Sequence, residues 1–448
     1  MNLTPSQPLE LPGGLILRCA APADAERLAE FDCRIHLSDP AKPEPNPYIA
    51  AWVRDLFSGK HPRFKPQDFT IVEDPASGKI ISSLNLIDQT WSYAGIPFEV
   101  GRPELVGTDP QYRGRGLVRH QFEVAHAWSR ERGQLVQVIT GIPYYYRLFG
   151  YEMAVNLGGG RIIYKTHLET LKEDESEPCS IRPALEADIP HLQACYALMC
   201  ARGPLACLRT PADWRHELRD KSPENVNRVE FFVIEDNQGS PIGMLGIPPL
   251  LWDGRLSAVI YELTPGHSYL EVTPALIRFL FAHGAGMHGE DGSPFKDMAG
   301  LALGESHPAY SVLRELNAPN YPPYAYYVRV PDLPAFLRHI APALEGRLAE
   351  SACAGHSKTL EISFYRGGLR IVLEKGRIQA VEDLQSSPDQ WDQVDACFPA
   401  LTFLQLVFQH RGIEELRRSY PDVWVKNETR VLLNALFPRQ PSDIWPLS

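Results

Sequence analysis

The sequence predicts a mixed α/β protein of the α+β type, built as two copies of one domain followed by a third, different one. Three observations carry this reading. Leu17 to Leu28 (LRCAAPADAERL) returns as Ile181 to Leu192 (IRPALEADIPHL) at an offset of 164, with Arg18/Arg182, Ala20/Ala184, Ala23/Ala187, Asp24/Asp188 and Leu28/Leu192 identical. Two weaker echoes keep nearly the same spacing: Val72-Glu73-Asp74 with Ile80 against Ile234-Glu235-Asp236 with Ile242, and Pro143 with Tyr145 against Pro308 with Tyr310. Neither landmark recurs after Val330-Pro331, and 448 residues, at about 150 per domain, leave room for three.

Each copy opens as a short strand, a turn, and a helix begun by an aspartate, Asp24 or Asp188. The second echo reads as a hairpin around a Gly- or Ser-containing turn. In copy one, Glu104 to Val118 (ELVGTDPQYRGRGLV) predicts a strand, an Asp-Pro break, a Gly-rich loop and a helix continuing through Trp128. The charged run Leu171 to Pro178 (LKEDESEP) is the seam between copies. For the Gly-rich loop, the best counterpart in copy two is Leu270 to Arg278, which has neither glycines nor the loop's arginines before Arg278. Copy two should therefore not bind the same ligand, and Tyr310 takes no catalytic role. Beyond Pro331, Leu333 to Leu348 predicts an amphipathic helix, Leu360 to Glu382 strands with a Gly-Gly turn, and Phe403 to Leu416 another helix. The expected domains are 1–170, 178–330 and 331–448.

Composition narrows the function. A net charge of −11 argues against nucleic acid or an anionic membrane surface as partner. No stretch approaches the roughly 18 apolar residues of a membrane helix, and MNLTPSQPLELPGG lacks the regions of a signal peptide, so a cytoplasmic protein is expected. Eight cysteines without a CxxC pair suggest buried thiols rather than a metal site or disulfide scaffold. Forty prolines, nearly twice the usual share of about 5%, imply many fixed turns.

Chemistry concentrates in the loop Gln111-x-x-Gly114-x-Gly116. A Gly-rich turn at a helix N-terminus lets several backbone N–H groups converge on an anion, with the positive end of the helix behind them. Arg113, Arg115 and Arg119 add cationic donors for phosphates. The segment is neither GxGxxG after a first strand nor a loop ending in Gly-Lys-Ser/Thr. DPQYRGRGLVR resembles motif A of the GCN5-related N-acetyltransferases (GNAT), and Tyr145-Tyr146-Arg147-Leu148-Phe149-Gly150-Tyr151-Glu152 is similar to that family's Y-x-x-x-G-Y/F-E segment. The resemblance implies acetyl coenzyme A as co-substrate and no metal. Val106, Gly107 and Thr108 would meet the acetyl and pantetheine groups. Arg113, Gly114, Arg115, Gly116, Leu117, Val118 and Arg119 would wrap the pyrophosphate, and Tyr146 would protonate the departing thiolate. Tyr144 to Tyr146 also read as aromatic packing at a strand end, which holds for one or two of the three.

The layout, with a degenerate second copy and a third domain, is similar to the enhanced intracellular survival (Eis-like) acetyltransferases. Their third domain resembles a sterol carrier protein, and Leu404 to Ser419 with Val431 to Phe437 is similar to its closing helices. The implied acceptor is a small amine, polyamine or aminoglycoside-like, and the implied assembly a homo-oligomer, of six chains in many such enzymes. Acyl transfer to an amine needs a base, because an alkyl ammonium has a pKa of about 10.4. Asp24, Glu30, Asp32 and Glu104 are internal candidates, whereas the resemblance offers the terminal carboxylate, here Ser448. The tail FPRQPSDIWPLS is stiff and carries an apolar anchor, Trp445, so it either docks at the first domain or packs on the third domain's own surface. Two other functions stay open: an apolar-ligand-binding protein using the third domain, and a protein lysine acetyltransferase.

Overall fold

A computed structural model describes residues 7–38, 41, 43–168, 170–172, 174–289, 291–313 and 318–447. Residues 1–170 supply β1 (Leu9–Leu11), β2 (Leu15–Cys19), β3 (Phe69–Asp74), β4 (Lys79–Tyr93), β5 (Ile96–Thr108), β6 (Val136–Ile139), β7 (Glu152–Leu157) and β8 (Gly160–Tyr164). Their helices are α1 (Ala25–Ile35), α2 (Pro47–Phe57) and α3 (Leu117–Glu131). Residues 178–330 supply β9 (Cys179–Pro183), β10 (Leu205–Cys207), β11 (Glu230–Asp236), β12 (Pro241–Ile247), β13 (Arg255–Ala258), β14 (Ile260–Leu263), β15 (Met298–Leu301), β16 (Asn320–Tyr321) and β17 (Tyr324–Arg329). With them come α4 (Ile189–Ala201), α5 (Pro211–Arg215) and α6 (Tyr269–Gly284). The remainder forms β18 (Lys358–Ser363), β19 (Gly368–Glu374), β20 (Arg377–Leu384), β21 (Ala396–Cys397) and β22 (Trp424–Val425), with α7 (Leu333–His339), α8 (Ala341–Ala349), α9 (Phe403–Val407), α10 (Ile413–Ser419) and α11 (Asn427–Leu436).

The repeat is visible as chemistry. Arg18 forms ion pairs with Asp24 at 2.7 Å and Glu73 at 2.6 Å; Arg182 does the same with Asp188 and Glu235, both at 2.7 Å. Each aspartate also accepts from a backbone N–H three residues earlier, Ala21 or Leu185, closing the turn between strand and helix. The residues matched by the sequence echoes are thus the ones that tie β2 to β3 and β9 to β11.

The two copies exchange strands. The first sheet runs β1-β2-β3-β4-β5-β6-β17-β7, with β10 on β4, so it takes two strands from residues 178–330. In return β8 joins β13, β15 and β16, while β14-β12-β11-β9 completes the second copy. Close approach of β8 to β15 requires Gly160, where a Cβ would lie 1.9 Å from the Leu301 carbonyl oxygen. The third segment forms the sheet β20-β19-β18-β21-β22. Its buried Leu360, Ile362, Leu369 and Ile371 share one apolar core with Trp91, Tyr93, Phe98 and Val100 of the first sheet. No helix among the described residues is long and apolar enough to cross a membrane.

Three expectations need correction. Leu333 to Leu348 is two helices, because Pro342 sits in the first turn of α8 and cannot continue α7. Phe403 to Leu416 is also divided, by Gln409 at φ +60 between α9 and α10. Leu270 to Arg278 lies inside α6 and so matches α3, not the loop before it. The true counterpart of the strand and loop is β14 followed by Thr264 to Ser268. Those residues keep one glycine, Gly266 at φ +93, and no arginine.

Candidate active site

β4 and β5 pair antiparallel along their length, but the register slips once: Asn85 faces Glu104, and Ser83 faces Gly107. β5 absorbs the extra residue at Leu105, which adopts φ +51. Already before the bulge β5 parts from β6, its parallel neighbour, which it pairs with at Val100–Val136 and Gly101–Gln137. β6 therefore leaves the backbone of Val106 to Thr108 without a strand partner on that side. Gly107 lets α1 come close, since a Cβ there would stand 2.8 Å from Ile35 Cγ2.

The chain leaves β5 through Asp109, whose side chain accepts from the Gln111 N–H at 2.9 Å, and Tyr112 donates to Asp74 at 2.8 Å. The N-terminal end of the loop is thereby held at two points. Gly114 and Gly116 follow at φ +77 and +74, and a Cβ on either would meet nothing within 4 Å. The space over both is open, as approach of a phosphate requires. Gly116 caps α3 without a side-chain acceptor, and the first turn holds no acidic residue, so the first N–H groups of a fifteen-residue helix remain available to an anion. Arg113, Arg115 and Arg119 are exposed around this opening, with no ion pair to other described residues. Buried Leu117 and half-buried Val118 begin the face that anchors α3 on the sheet.

Tyr144, Tyr145 and Tyr146 fall in three environments. Tyr144 is exposed, Tyr145 half-buried, and Tyr146 4% exposed. The Tyr146 ring meets Phe122 of α3 and, at 5.4 Å between centroids, Tyr327 of the exchanged strand β17. Its hydroxyl lies beside Gly141, where a Cβ would be 3.2 Å from the oxygen. Burial pushes the phenol well above its ordinary range, with the Glu104 charge adding to the effect, so Tyr146 stays protonated at neutral pH.

The carboxylates proposed as bases also separate. Asp24 is committed to Arg18 and Arg27, and Glu30 faces solvent. Asp32 is fully buried, accepts from Ser83 at 2.7 Å, and is raised well above the carboxylate range by burial. Glu104 sits in the bulge 2.6 Å from Arg102 Nε; burial pushes its carboxyl up while Arg102 pulls it down.

Ser448 lies outside the described residues, but the tail before it makes specific contacts. Asp443 pairs beside Asn156 of β7, and Trp445 packs among Tyr196, Trp214 and Phe231. The Leu447 carbonyl accepts from Gln89 of β4 at 2.6 Å and from Arg102 of β5. From Asp443 on, the tail therefore docks on the first two segments, while Arg439 and Gln440 stay with Glu415 and Gln409 of the third. Sequence reading missed Gln89, Arg102 and Arg209, the last of which grips the tail from the second segment. These contacts join residues more than 230 positions apart, and no local motif signals them. Among the described residues, no three His, Cys, Asp or Glu side chains gather as a metal site.

Residues 36–154 match the acetyltransferase (GNAT) domain family. No curated protein sequence matches the chain. Several solved structures share its fold over nearly the whole length. A GCN5-related N-acetyltransferase from Anabaena variabilis has 13% identity and a TM-score of 0.64, over 96% of this chain and 98% of that one. A probable N-acyltransferase from Enterococcus faecalis has 12% identity and a TM-score of 0.63, over 95% and 97%. Eis1 from Mycobacterium abscessus has 15% identity and a TM-score of 0.58, over 95% and 98%.

Proposed function

We propose that this chain, a GNAT-type N-acetyltransferase, moves the acetyl group of acetyl coenzyme A directly onto a small amine in a ternary complex at the cleft between β5 and β6. The observation that carries the reading is the open, positive-φ loop at Gly114 and Gly116. It stands at an uncapped helix N-terminus beside three exposed arginines, next to the bulged strand. In this reading the loop N–H groups and Arg113, Arg115 and Arg119 hold the pyrophosphate, while Val106 to Thr108 offer backbone donors and acceptors to the pantetheine and acetyl groups. A donor in the bulged strand would stabilise the tetrahedral oxyanion, and Tyr146, whose burial raises its phenol further above neutral pH, would protonate the leaving thiolate.

For the base we propose Ser448, supported by the fixed Leu447 carbonyl that precedes it at Arg102. We read 1–170 as the catalytic domain, 178–330 as the degenerate copy and 331–448 as the sterol-carrier-like domain of an Eis-like, oligomeric, cytoplasmic enzyme. The whole-chain likeness to Eis1 from Mycobacterium abscessus supports the layout at the level of fold. A tail lying against the cleft favours small amines over folded proteins as acceptors. The apolar-ligand alternative would place its site in the third domain, whereas two cavities of about 550 and 780 Å³ are lined mainly by the second segment and the tail.

Coenzyme A release measured over polyamines, aminoglycosides and lysine peptides tests the proposal. Turnover with small amines and little with peptides is expected. Release with lysine peptides alone would replace the acceptor class.

A further inference from the structure

The second segment has lost the loop arginines, yet it holds the tail by a buried charge cluster. The Arg209 side chain is 0% exposed, and its guanidinium carbon lies 3.3 Å from the centre of the Trp445 ring. It donates to the Pro446 carbonyl at 2.9 Å and to the Trp445 carbonyl at 3.4 Å. Its carboxylate partner, Glu217 at 3.2 Å, is shared with Lys221, whose ammonium lies 2.9 Å from the other carboxylate oxygen. Glu217 and Lys221 are themselves 2% and 1% exposed.

Two buried cations thus share one anion. A guanidinium taken out of water needs acceptors for its remaining N–H groups, or the desolvation cost is uncompensated. The tail carbonyls supply them at one terminal nitrogen, while the buried Nε has no acceptor. The next carbonyl, Leu447, passes to Gln89 and Arg102 on the first segment's β4 and β5. Gln89 is in turn fixed by the Trp91 indole N–H at 2.7 Å. Three consecutive carbonyls are therefore seated, two by the second segment and one by β4 and β5 together.

We propose that Arg209, held by Glu217, which Lys221 shares, is a positioning residue for acetyl transfer in the first domain, seating the tail through Trp445 and Pro446 so that Leu447 docks on β4 and β5. This gives the degenerate copy a part in the reaction, and it rests on the tail's role in the proposed function. Misplacing a reacting group by about 1 Å commonly costs on the order of 100-fold in rate.

The test is a double-mutant cycle in the full chain between Arg209→Met and deletion of Leu447-Ser448, with turnover, acetyl coenzyme A affinity, and hydrogen exchange at the Trp445 and Leu447 amides. Arg209→Met should lower turnover at least tenfold, leave cofactor affinity within twofold, and speed exchange in the tail. In the tail-deleted chain it should lower turnover no further. Arg209→Lys keeps the charge but not the paired donors or the flat stacking surface, and should fall between. It stands in if the methionine variant fails to fold, with the same expected non-additivity. Loss from deletion alone, with both Arg209 variants at full turnover, would overturn the positioning role and spare the tail. Additive losses would make Arg209 merely structural. Full turnover after deletion would overturn the tail's role and, with it, this inference.

Discussion

The guanidinium of Arg102, on the strand that carries the bulge, donates to the carbonyl of Leu447, 345 residues further along the chain. That bond, reinforced by Gln89, brings the third segment's tail to the first domain's cleft. A peptide appended after Ser448 should crowd this junction. It is expected to lower turnover tenfold or more while cofactor affinity and melting temperature stay unchanged; a tagged enzyme of full activity would detach the tail from the reaction.

Tyr146→Phe keeps the ring that packs on Phe122 and Tyr327 and removes only the hydroxyl. Loss of a general acid typically costs about 10² to 10⁴ in rate, so kcat should fall by at least 100-fold with little change in acetyl coenzyme A affinity. Unchanged kcat would leave Tyr146 as packing.

Stability should depend on pH through the buried histidines. His307, paired through its ring to the Tyr261 carbonyl and the Ala309 N–H, is lowered to about 3, chiefly by burial. Between about pH 6.5 and that value the unfolded chain binds a proton that the folded chain refuses, so stability falls as pH falls. At pH 5 the contribution is about 2 kcal/mol relative to pH 7. Asp443, raised to about 6 by burial, acts in the opposite sense below that pH. Melting temperature from pH 7 to 5 should therefore drop less in His307→Gln than in the native chain; parallel curves would contradict this.

The Arg18 and Arg182 clusters should carry comparable weight in their two copies. Asp24→Ala and Asp188→Ala each remove an aspartate that both pairs an arginine and closes a turn. Loss of a hydrogen bond to a charged group costs about 1.5 to 3 kcal/mol. Asp24, the more buried, should cost more in denaturant unfolding.

Much of this was legible in sequence because it is local. The repeated Arg and Asp, the Asp-Pro break and the two loop glycines act over a few residues, and their geometry follows from turn and cap chemistry. What escaped is what the chain does at a distance. The exchange of β8 and β17 leaves no period or motif, since a strand reads alike whichever sheet receives it. The division of α9 from α10 turns on Gln409 in a left-handed conformation, which no glycine announces. The aromatic tail was readable as a docking element, but its receptors, Gln89, Arg102 and Arg209, look like ordinary polar residues until the fold gathers them.

The proposed function requires that the first copy alone hold acetyl coenzyme A, at the loop of Gly114 and Gly116. Calorimetric titration of the full chain, beside a Gly114→Val/Gly116→Val variant, tests it most directly. β-branched side chains at φ +77 and +74 would be strained and would stand where the pyrophosphate approaches. Stoichiometry near one per chain, with binding abolished in a variant that keeps its folded spectrum, is the predicted result; undiminished binding in that variant, or two sites per chain, would contradict it.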